Sequence, residues 1–260
     1  MDEKLITDIA CFIEGQIGIT FDSSNMFQLK RRLEKLIEIH SFKDLSELYR
    51  QFNSDKARWG RIILEEATNN ETYFFRDPAV FVALMENLKQ LADRRHIKMW
   101  SAACSTGQEA FSMCMAAMES EVDFTILASD FCRRVLDKAQ NAVFSDFDVG
   151  RGLRDHFLEK YFKQLGTDKW SLNQDVYKRI EFYQLNLLDD FKLGTKFDIV
   201  FLRNILIYMN VSNKQKILNK VAEHMDAGAI LYLGAGESLV GLESAFETIK
   251  IAEATAYRRV

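Results

Sequence analysis

Proline is almost absent from this sequence, because Pro78 is the only one in 260 residues. Average usage of about 5% would give roughly thirteen. A proline-rich linker is therefore excluded, and any hinge must be built from other residues. The length suits one large domain, or a core domain with a small companion. With 48% hydrophobic and 28% charged residues, the chain is expected to fold rather than remain disordered.

Cysteine motifs, a leader and a spanning segment are also lacking. The four cysteines are too few for a disulfide-built fold and have no zinc-site spacing, so we expect reduced thiols and no metal. The first residues lack the basic and apolar regions of a secretory signal. The best apolar run, 199–209, is broken by Arg203 and Asn204 and is shorter than the roughly 18 residues that span a bilayer. We therefore expect a soluble, cytoplasmic protein without direct membrane insertion.

Positive charge is not in excess. Lysine and arginine total 34 against 38 acidic residues, which argues against a general nucleic-acid binder. The basic residues Lys30, Arg31, Arg32 and Lys35 are nevertheless clustered, and positions 31 and 35 lie one helical turn apart. This spacing predicts a positive stripe on one helix. A plain solvated helix face is the alternative.

The chain divides into two unlike parts. Residues 1–67 repeat apolar positions at helical spacing, which predicts a small all-α domain. We expect Asp22–Ser24 to cap its second helix and Ser41 or Ser46 to cap its third. From residue 97 to the end at 260, short apolar runs alternate with amphipathic helices, as in a mostly parallel α/β sheet. The predicted strands are 98–102, 124–129, 180–185, 197–202 and 229–233, and the predicted helices are 108–118, 133–142 and 213–224.

Three regions depart from this alternation. Residues 68–96 join the two parts, and Pro78 is expected in the first turn of a connecting helix. Residues 145–179 have no clear period and are too long for a simple loop, so a small helical or β insertion is expected there. The end of the chain, 248–257, predicts two strands in succession and therefore an antiparallel edge on the sheet.

The first predicted strand runs into a turn of small residues that contains Gly107 and precedes a helix. Such a turn lets backbone approach a ligand, but it is weak evidence alone. The G-x-G-x-x-G of dinucleotide binders is absent, which disfavours a dinucleotide. Asp130 ends the second strand, where a carboxylate commonly accepts the hydroxyls of a ribose. The alternative is that Asp130 caps the helix that begins at Arg133.

Two more predicted strands end in polar residues at the same edge of the sheet. Ligands of open α/β sheets bind outside the carboxyl ends of the strands. Asn186 and the pair Arg203–Asn204 are therefore candidates to contact an adenine and an amino-acid head group. Asn186 can equally be a plain turn residue. Burial of Arg203 would be costly without a partner.

The junction segment 68–78 mixes Asn, Thr and Arg with the three aromatic residues Tyr73–Phe75. Polar side chains at the border of two structural parts are candidates for a binding site. The alternative is an aromatic plug between the two parts, with incidental polar residues.

Four ordered stretches resemble the motifs of the CheR-type chemotaxis receptor methyltransferases. They are NETYFFRD at 70–77, WSAACSTGQE at 100–109, FDIVFLRNILIY at 197–208 and LGAGESL at 233–239. The resemblance covers essentially the whole chain. It implies a Rossmann-like S-adenosylmethionine-dependent methyltransferase sheet with an antiparallel C-terminal edge, a small all-α N-terminal domain and a small β insertion.

The resemblance also implies an activity, a cofactor and a partner. The activity would be methyl transfer from S-adenosylmethionine to glutamate carboxylates, with S-adenosylhomocysteine as product. The partners would be cytoplasmic helices of membrane chemoreceptors, bound by a monomer, with no nucleic acid. Arg76 and Tyr208 would line the methyl-transfer site, and the stripe of Lys30, Arg31, Arg32 and Lys35 would dock the receptor. The cofactor contacts carried over are Asn70, Thr72, Arg76, Glu109, Asp130, Asn186, Leu187, Arg203 and Asn204.

The chain departs from the family pattern in three places, one of which is Val80–Phe81, where the family usually has His-Phe. The family usually reads Glu-Glu-Pro-Tyr where this chain has Gln108–Phe111, but the second acid, Glu109, is kept. The loop at 165–167 is shorter than in members that dock a receptor pentapeptide, so the resemblance does not extend to pentapeptide docking. A glutamate with a pKa of about 4.3 is already an anion at neutral pH, so no general base is required. Two alternatives stay open: another substrate, and a non-catalytic cofactor-binding scaffold.

Overall fold

The N-terminal part is a bundle of four helices, as the apolar spacing predicts. The computed structural model describes residues 2–92 and 96–260. Leu29, Leu33 and Leu36 recur at helical spacing and are buried in the centre of the bundle. The helices are α1 Asp2–Ile17, α2 Met26–Ile39, α3 Leu45–Ser54 and α4 Lys56–Ala67.

The predicted helix caps of this bundle are wrong. The carboxylate of Asp22, in the predicted cap Asp22–Ser24, bonds within its own turn, and α2 starts after Asn25 without a side-chain cap. Helix α3 is capped by Asp44 rather than by Ser41 or Ser46. An aspartate accepts a free helix N–H as well as a serine does. The type of residue alone therefore did not show which of several neighbouring residues caps each helix.

The second part alternates strands and helices. Pro78 stands in the first turn of α5, as predicted, where its missing N–H costs no helix hydrogen bond. The elements are α5 Pro78–Gln90, β1 Ile97–Ala102, α6 Gln108–Glu119, β2 Phe124–Asp130, α7 Arg133–Asn141, β3 Val143–Ser145, α8 Asp146–Val149, α9 Asp155–Tyr161, β4 Phe162–Leu165, β5 Lys169–Leu172, α10 Gln174–Tyr177, β6 Ile180–Gln184, β7 Phe197–Leu202, a 3-10 turn Leu206–Tyr208, α11 Val211–Glu223, β8 Met225–Leu233, β9 Phe246–Ile251 and β10 Ala254–Arg259.

Seven strands form one sheet in the order β6-β2-β1-β7-β8-β10-β9. The first five pair in parallel, and β10 runs antiparallel to both of its neighbours. The predicted antiparallel edge is thus confirmed. The chain places β2 on one side of β1 and β7 on the other, so the strand order reverses at β1. At such a reversal a crevice opens beyond the carboxyl ends of the strands.

The predicted insertion is a three-stranded antiparallel sheet in the order β3-β5-β4, with short helices around it. It begins at Val143, two residues before the predicted start. The buried rings of Phe144 and Phe162 pack edge-to-face against Phe74, with centroids 5.0 and 5.5 Å away. The insertion is therefore anchored directly to the junction segment.

Strand β8 differs most from its prediction. It begins at Met225 rather than at 229, because its exposed residues 226–228 give no apolar signal. Of the four cysteines, Cys104, Cys114 and Cys132 are buried, and all four are free thiols. Across residues 2–92 and 96–260, no helix is long and apolar enough to cross a membrane.

Candidate active site

A cleft opens at the carboxyl ends of β1, β2 and β7, at the reversal of strand order. It encloses about 990 Å³, counting the part that is open to solvent, which lies at the upper end of the range for ligand pockets. The two parts of the chain share its walls, since Ile17 and Ile19 of the helical part face the strand ends. The junction segment 68–73 and Arg76 close a third side.

The turn between β1 and α6 forms the floor of the cleft. Ala103, Ser105 and Gly107 have positive φ values of 66°, 51° and 90°. A Cβ on Gly107 would lie 2.7 Å from the ring of Phe111, so a glycine is required there for both its φ and its space. The Ser105 hydroxyl donates to the carbonyl of Asn70 at 2.9 Å. This bond ties the turn to the junction segment.

Glu109, in the first turn of α6, faces the cleft. Its Oε1 accepts the hydroxyl of Ser101 at 2.7 Å, and its Oε2 accepts Nη1 of Arg203 at 3.0 Å. Burial raises the pKa of Glu109 above its ordinary 4.5, while the Arg203 guanidinium opposes that rise. Glu109 is thus a pre-oriented carboxylate at low solvent exposure.

Asp130, at the end of β2, accepts two backbone amides. Ser105 N–H donates to Oδ2 at 2.8 Å and Cys132 N–H donates to Oδ1 at 2.9 Å. Burial raises the pKa of this carboxyl above its ordinary value, and the amide bonds oppose the rise. Asp130 does not cap α7, which has no side-chain cap. Its carboxylate is fixed in orientation on the cleft wall.

Arg203 is the buried cation of the site. Its side chain is 0% exposed and forms ion pairs with Asp77 Oδ2 at 2.6 Å and Glu109 Oε2 at 3.0 Å. Nη2 also donates to the main-chain carbonyl of Arg76 at 2.8 Å. Burial of Arg203 is thus offset by partners. Its Nε has no hydrogen-bond partner among residues 2–92 and 96–260.

Arg76 and Tyr208 both line the cleft. The guanidinium of Arg76 lies 5.6 Å from the ring centroid of Tyr73 and donates to the carbonyl of Glu71 at 3.2 Å. The phenolic oxygen of Tyr208 accepts Nδ2 of Asn69 at 2.8 Å. Both side chains are only partly buried, so each can meet a substrate that enters from outside.

The remaining predicted residues are also at the cleft, with different surroundings. Asn186 donates to the carbonyl of Gln16 at 2.8 Å and accepts the N–H of Leu188 at 3.2 Å, so it acts as a turn residue that also links the two parts. Asn204 follows β7 with a φ of 59°. Asn70, Thr72, Leu187 and Asn204 line the cleft.

Arg31 and Lys35 share the exposed face of α2, but not all four basic residues of the cluster face outward. Arg31 and Lys35 are exposed, and Lys35 pairs with Glu66 at 2.8 Å. Arg32 turns inward, where its guanidinium donates to the carbonyl of Ala67 at the end of α4. Burial lowers the pKa of Arg32 from its ordinary value. The outward-facing positive charge therefore rests mainly on Arg31 and Lys35, with Lys30 partly exposed.

Sequence reasoning missed three side chains that hold this site. Asp77 and Ser101 lie inside the four motifs; the partner of Asp77, Arg203, is 126 positions away, whereas Ser101 donates to Glu109 within the same motif. Glu237 accepts the backbone amide of Asn204 at 2.7 Å. A partial signal existed for Asp77, because a buried Arg203 needs a partner such as a carboxylate, but the sequence did not show which acid supplies it.

Comparison with known proteins shows the family. Two sequence models match, one described as "CheR methyltransferase, all-alpha domain" over residues 5–65 and one as "CheR methyltransferase, SAM binding domain" over residues 70–255. The chain belongs to the CheR methyltransferase family. The boundary between the two matches falls at the start of the junction segment, where the helical bundle ends.

Curated CheR relatives are similar along nearly their whole length. The "Chemotaxis protein methyltransferase" of Vibrio anguillarum is 34% identical over 261 residues, covering 96% of this chain and 95% of the relative. "Chemotaxis protein methyltransferase 1" of Pseudomonas aeruginosa is 32% identical, covering 95% and 94%. "Chemotaxis protein methyltransferase" of Borreliella burgdorferi is 28% identical, covering 88% and 86%.

Among solved structures, the chain is similar to the glycopeptide N-methyltransferase MtfA complexed with sinefungin. That similarity has a TM-score of 0.37 and 14% identity, and covers 57% of this chain and 48% of the other. TrmN from Thermus thermophilus matches with a TM-score of 0.41 and 12% identity, covering 68% and 48%. Similarities at this level carry no argument about this CheR chain's chemistry.

Proposed function

We propose that this chain binds S-adenosylmethionine in the cleft and transfers its methyl group to glutamate carboxylates of chemotaxis receptors. One observation supports this more than any other. In a CheR-family chain, the cleft at the strand reversal brings together two carboxylates of low solvent exposure and a buried arginine with the partly exposed Arg76 and Tyr208. A ligand-binding floor and an open substrate side thus meet in one place.

The residues present are chemically suited to this cofactor. Glu109 offers a largely buried carboxylate to the cationic amino group of the methionine part. Asp130 has a fixed carboxylate suited to the two ribose hydroxyls. The Arg203 Nε, left without a partner among the described residues, is a spare donor on the wall for a carboxylate acceptor. Leu187 and Asn186 provide a mixed apolar and amide surface on the adenine side.

The chain's part in the reaction is positioning rather than proton transfer. When bound, S-adenosylmethionine supplies an electrophilic methyl group on a sulfonium. A substrate glutamate is already ionised at neutral pH, so its carboxylate needs orientation and desolvation. Arg76 can orient that carboxylate through its planar fork. Tyr208 stands on the same open side, held by Asn69, and can limit access of water.

The substrate is proposed to be an acidic receptor helix. The exposed Arg31 and Lys35 of α2 supply positive charge on the bundle, which attracts acidic partners through electrostatic steering. The enzyme is expected to act as a cytoplasmic monomer on the cytoplasmic helices of membrane chemoreceptors. Arg32 is expected to act indirectly, because it supports the end of α4 rather than facing outward.

The test is a methyl-transfer assay with labelled S-adenosylmethionine and receptor-rich membranes. We expect label on the receptor that is released by mild base as methanol, because a carboxyl methyl ester is base-labile. Arg76→Ala should lower the transfer about a hundredfold, and Arg258→Ala, at a distant exposed ion pair, should leave it unchanged. Base-stable label would show another acceptor atom. Cofactor binding without any transfer would show a scaffold instead.

A further inference from the structure

The loop after β8, Gly234–Leu239, has no part in the chemistry proposed above. Its acid, Glu237, reaches across to the segment that follows the neighbouring strand β7. Oε2 accepts the N–H of Asn204 at 2.7 Å and the N–H of Gly234 at 2.8 Å. Oε1 accepts the N–H of Ile207 at 3.2 Å. One carboxylate therefore holds three backbone amides from two loops.

The segment held in this way forms one wall of the cleft. Asn204, Ile205 and Tyr208 all line the cleft. The segment is not a regular element, since Asn204 has a φ of 59° and the 3-10 turn is only three residues long. A backbone with a left-handed residue and a short turn is maintained by its surroundings rather than by its own hydrogen bonds. Two hydrogen bonds to Glu237 supply that support, one from the N–H of Asn204 and one from the N–H of Ile207.

Gly234 provides a second, independent observation. A Cβ at this position would lie 2.5 Å from the Asn204 side-chain nitrogen and 2.8 Å from the Glu237 carboxylate. The absence of a side chain therefore lets the two loops approach closely. Gly236, two residues on, has open space around it, because a Cβ placed there would meet nothing within 4 Å. Of these two glycines, Gly234 is the one that the contact requires.

We propose that Glu237, seated against Gly234, is a positioning residue for methyl transfer. It holds Asn204 on the cofactor side of the cleft and Tyr208 on the acceptor side. This inference rests on the proposed function of the cleft. An ionised carboxylate suits the task because both of its oxygens only accept hydrogen bonds. A glutamine would offer one oxygen and would turn an N–H₂ group toward backbone N–H donors.

The first readout is amide hydrogen exchange, which requires no catalysis. In Glu237→Gln and in Gly234→Ala, exchange of peptides spanning 203–209 should become faster, while peptides from β1 and β7 keep their protection. The matched controls are Glu243→Gln and Gly236→Ala. Glu243 is exposed, and its carboxylate makes no hydrogen bond within residues 2–92 and 96–260.

The second readout separates kcat from KM. Small misplacement of reacting groups can cost about a hundredfold in rate, so we expect Glu237→Gln to lower kcat at least about tenfold at saturating cofactor. KM for the receptor should stay within about twofold, because the hydrogen bonds of the Glu237 carboxylate go to Asn204, Ile207 and Gly234 and not to α2, which carries the proposed docking charges. Glu237→Asp should fall between wild type and Glu237→Gln, since it keeps both oxygens but reaches less far. It also serves as the second variant if Glu237→Gln does not fold.

Three results would overturn the inference. One is wild-type kcat and wild-type exchange at 203–209 in both Glu237→Gln and Gly234→Ala. Another is loss of protection throughout the sheet, which would show a general structural role. The third is a loss of activity equal to that of the control variants. If wild-type protein transfers no methyl at all, the proposed function fails, whereas the exchange of 203–209 still decides the role of Glu237.

Discussion

Removal of Arg203 is the perturbation that tests the buried charge network most severely. Arg203→Met keeps most of the side-chain length but leaves two carboxylates without their cation. The Glu109 side chain is 12% exposed and that of Asp77 is 30% exposed, so Glu109 recovers little hydration. Breaking a buried pair by removing one partner costs about 3–5 kcal/mol. For a chain of this size the midpoint of thermal unfolding should fall by about 10 °C.

The loss of stability in Arg203→Met should increase with pH. Burial already raises the pKa of Glu109 above 4.5, and Arg203 opposes that rise. Without Arg203 the folded-state pKa rises further above the unfolded one. A raised carboxyl pKa favours folding at low pH, and that contribution is lost as pH rises through the folded value. The difference between wild type and Arg203→Met should therefore be larger at pH 8 than at pH 5.5.

The assay is urea or thermal unfolding at both pH values, with two comparison proteins. Arg258→Met makes the same substitution in an exposed ion pair, with side chains 49% and 48% exposed, and should change stability little. Arg203→Met combined with Glu109→Gln removes the more buried of the two stranded charges and should recover part of the loss. A pH-independent difference, or a loss no larger than that of Arg258→Met, would refute the reasoning.

The remaining predictions concern the cleft itself. Because the pKa of Glu109 is raised, its carboxylate becomes protonated above pH 4.5 as the pH falls, and binding of S-adenosylhomocysteine should weaken there. Calorimetric titration should show this weakening in wild type and not in Glu109→Gln. Gly107→Ala should lower the free energy of unfolding by about 2 kcal/mol, because the new Cβ is strained at a φ of 90° and lies 2.7 Å from the ring of Phe111. Gly166→Ala should lower it less, because Gly166 has a positive φ but open space around it. Arg76→Ala should lower single-turnover methyl transfer about a hundredfold while cofactor affinity changes little; near-normal turnover would contradict its role.

Periodicity was enough to predict the sheet and the bundle. Strands β1, β2 and β7 are buried along most of their length, and the predicted bounds agree with the observed bounds within one residue. Strand β8 shows the limit, because its exposed start at 226–228 carries no hydrophobic pattern. A strand is recognised in a sequence by its hydrophobic residues, so a segment of the strand that is exposed to solvent is not predicted.

Pairing within the site could not be predicted in the same way. The motif residue Arg203 was expected near a ligand, but its partners Asp77 and Glu109 lie 126 and 94 positions away in the sequence. Many acids could have filled that role, and only the folded chain selects two. The same holds for Arg32, which was grouped with the basic cluster expected to dock the receptor although packing turns it toward Ala67. The spacing of residues shows which side chains are neighbours on one helix, but it does not show which groups of another helix pack against them.

The central claim is that the cleft between the helical part and the strand ends is the cofactor site. Titration of S-adenosylhomocysteine into purified wild type, Asp130→Asn and Asp137→Asn tests it directly. Asp130 lies on the cleft wall, whereas Asp137 is an exposed residue of α7 paired with Arg133. We predict saturable binding at one site, weakened at least about tenfold in Asp130→Asn through loss of a charge-assisted hydrogen bond and unchanged in Asp137→Asn. Absence of binding to wild type, or equal affinity in all three proteins, would contradict the account.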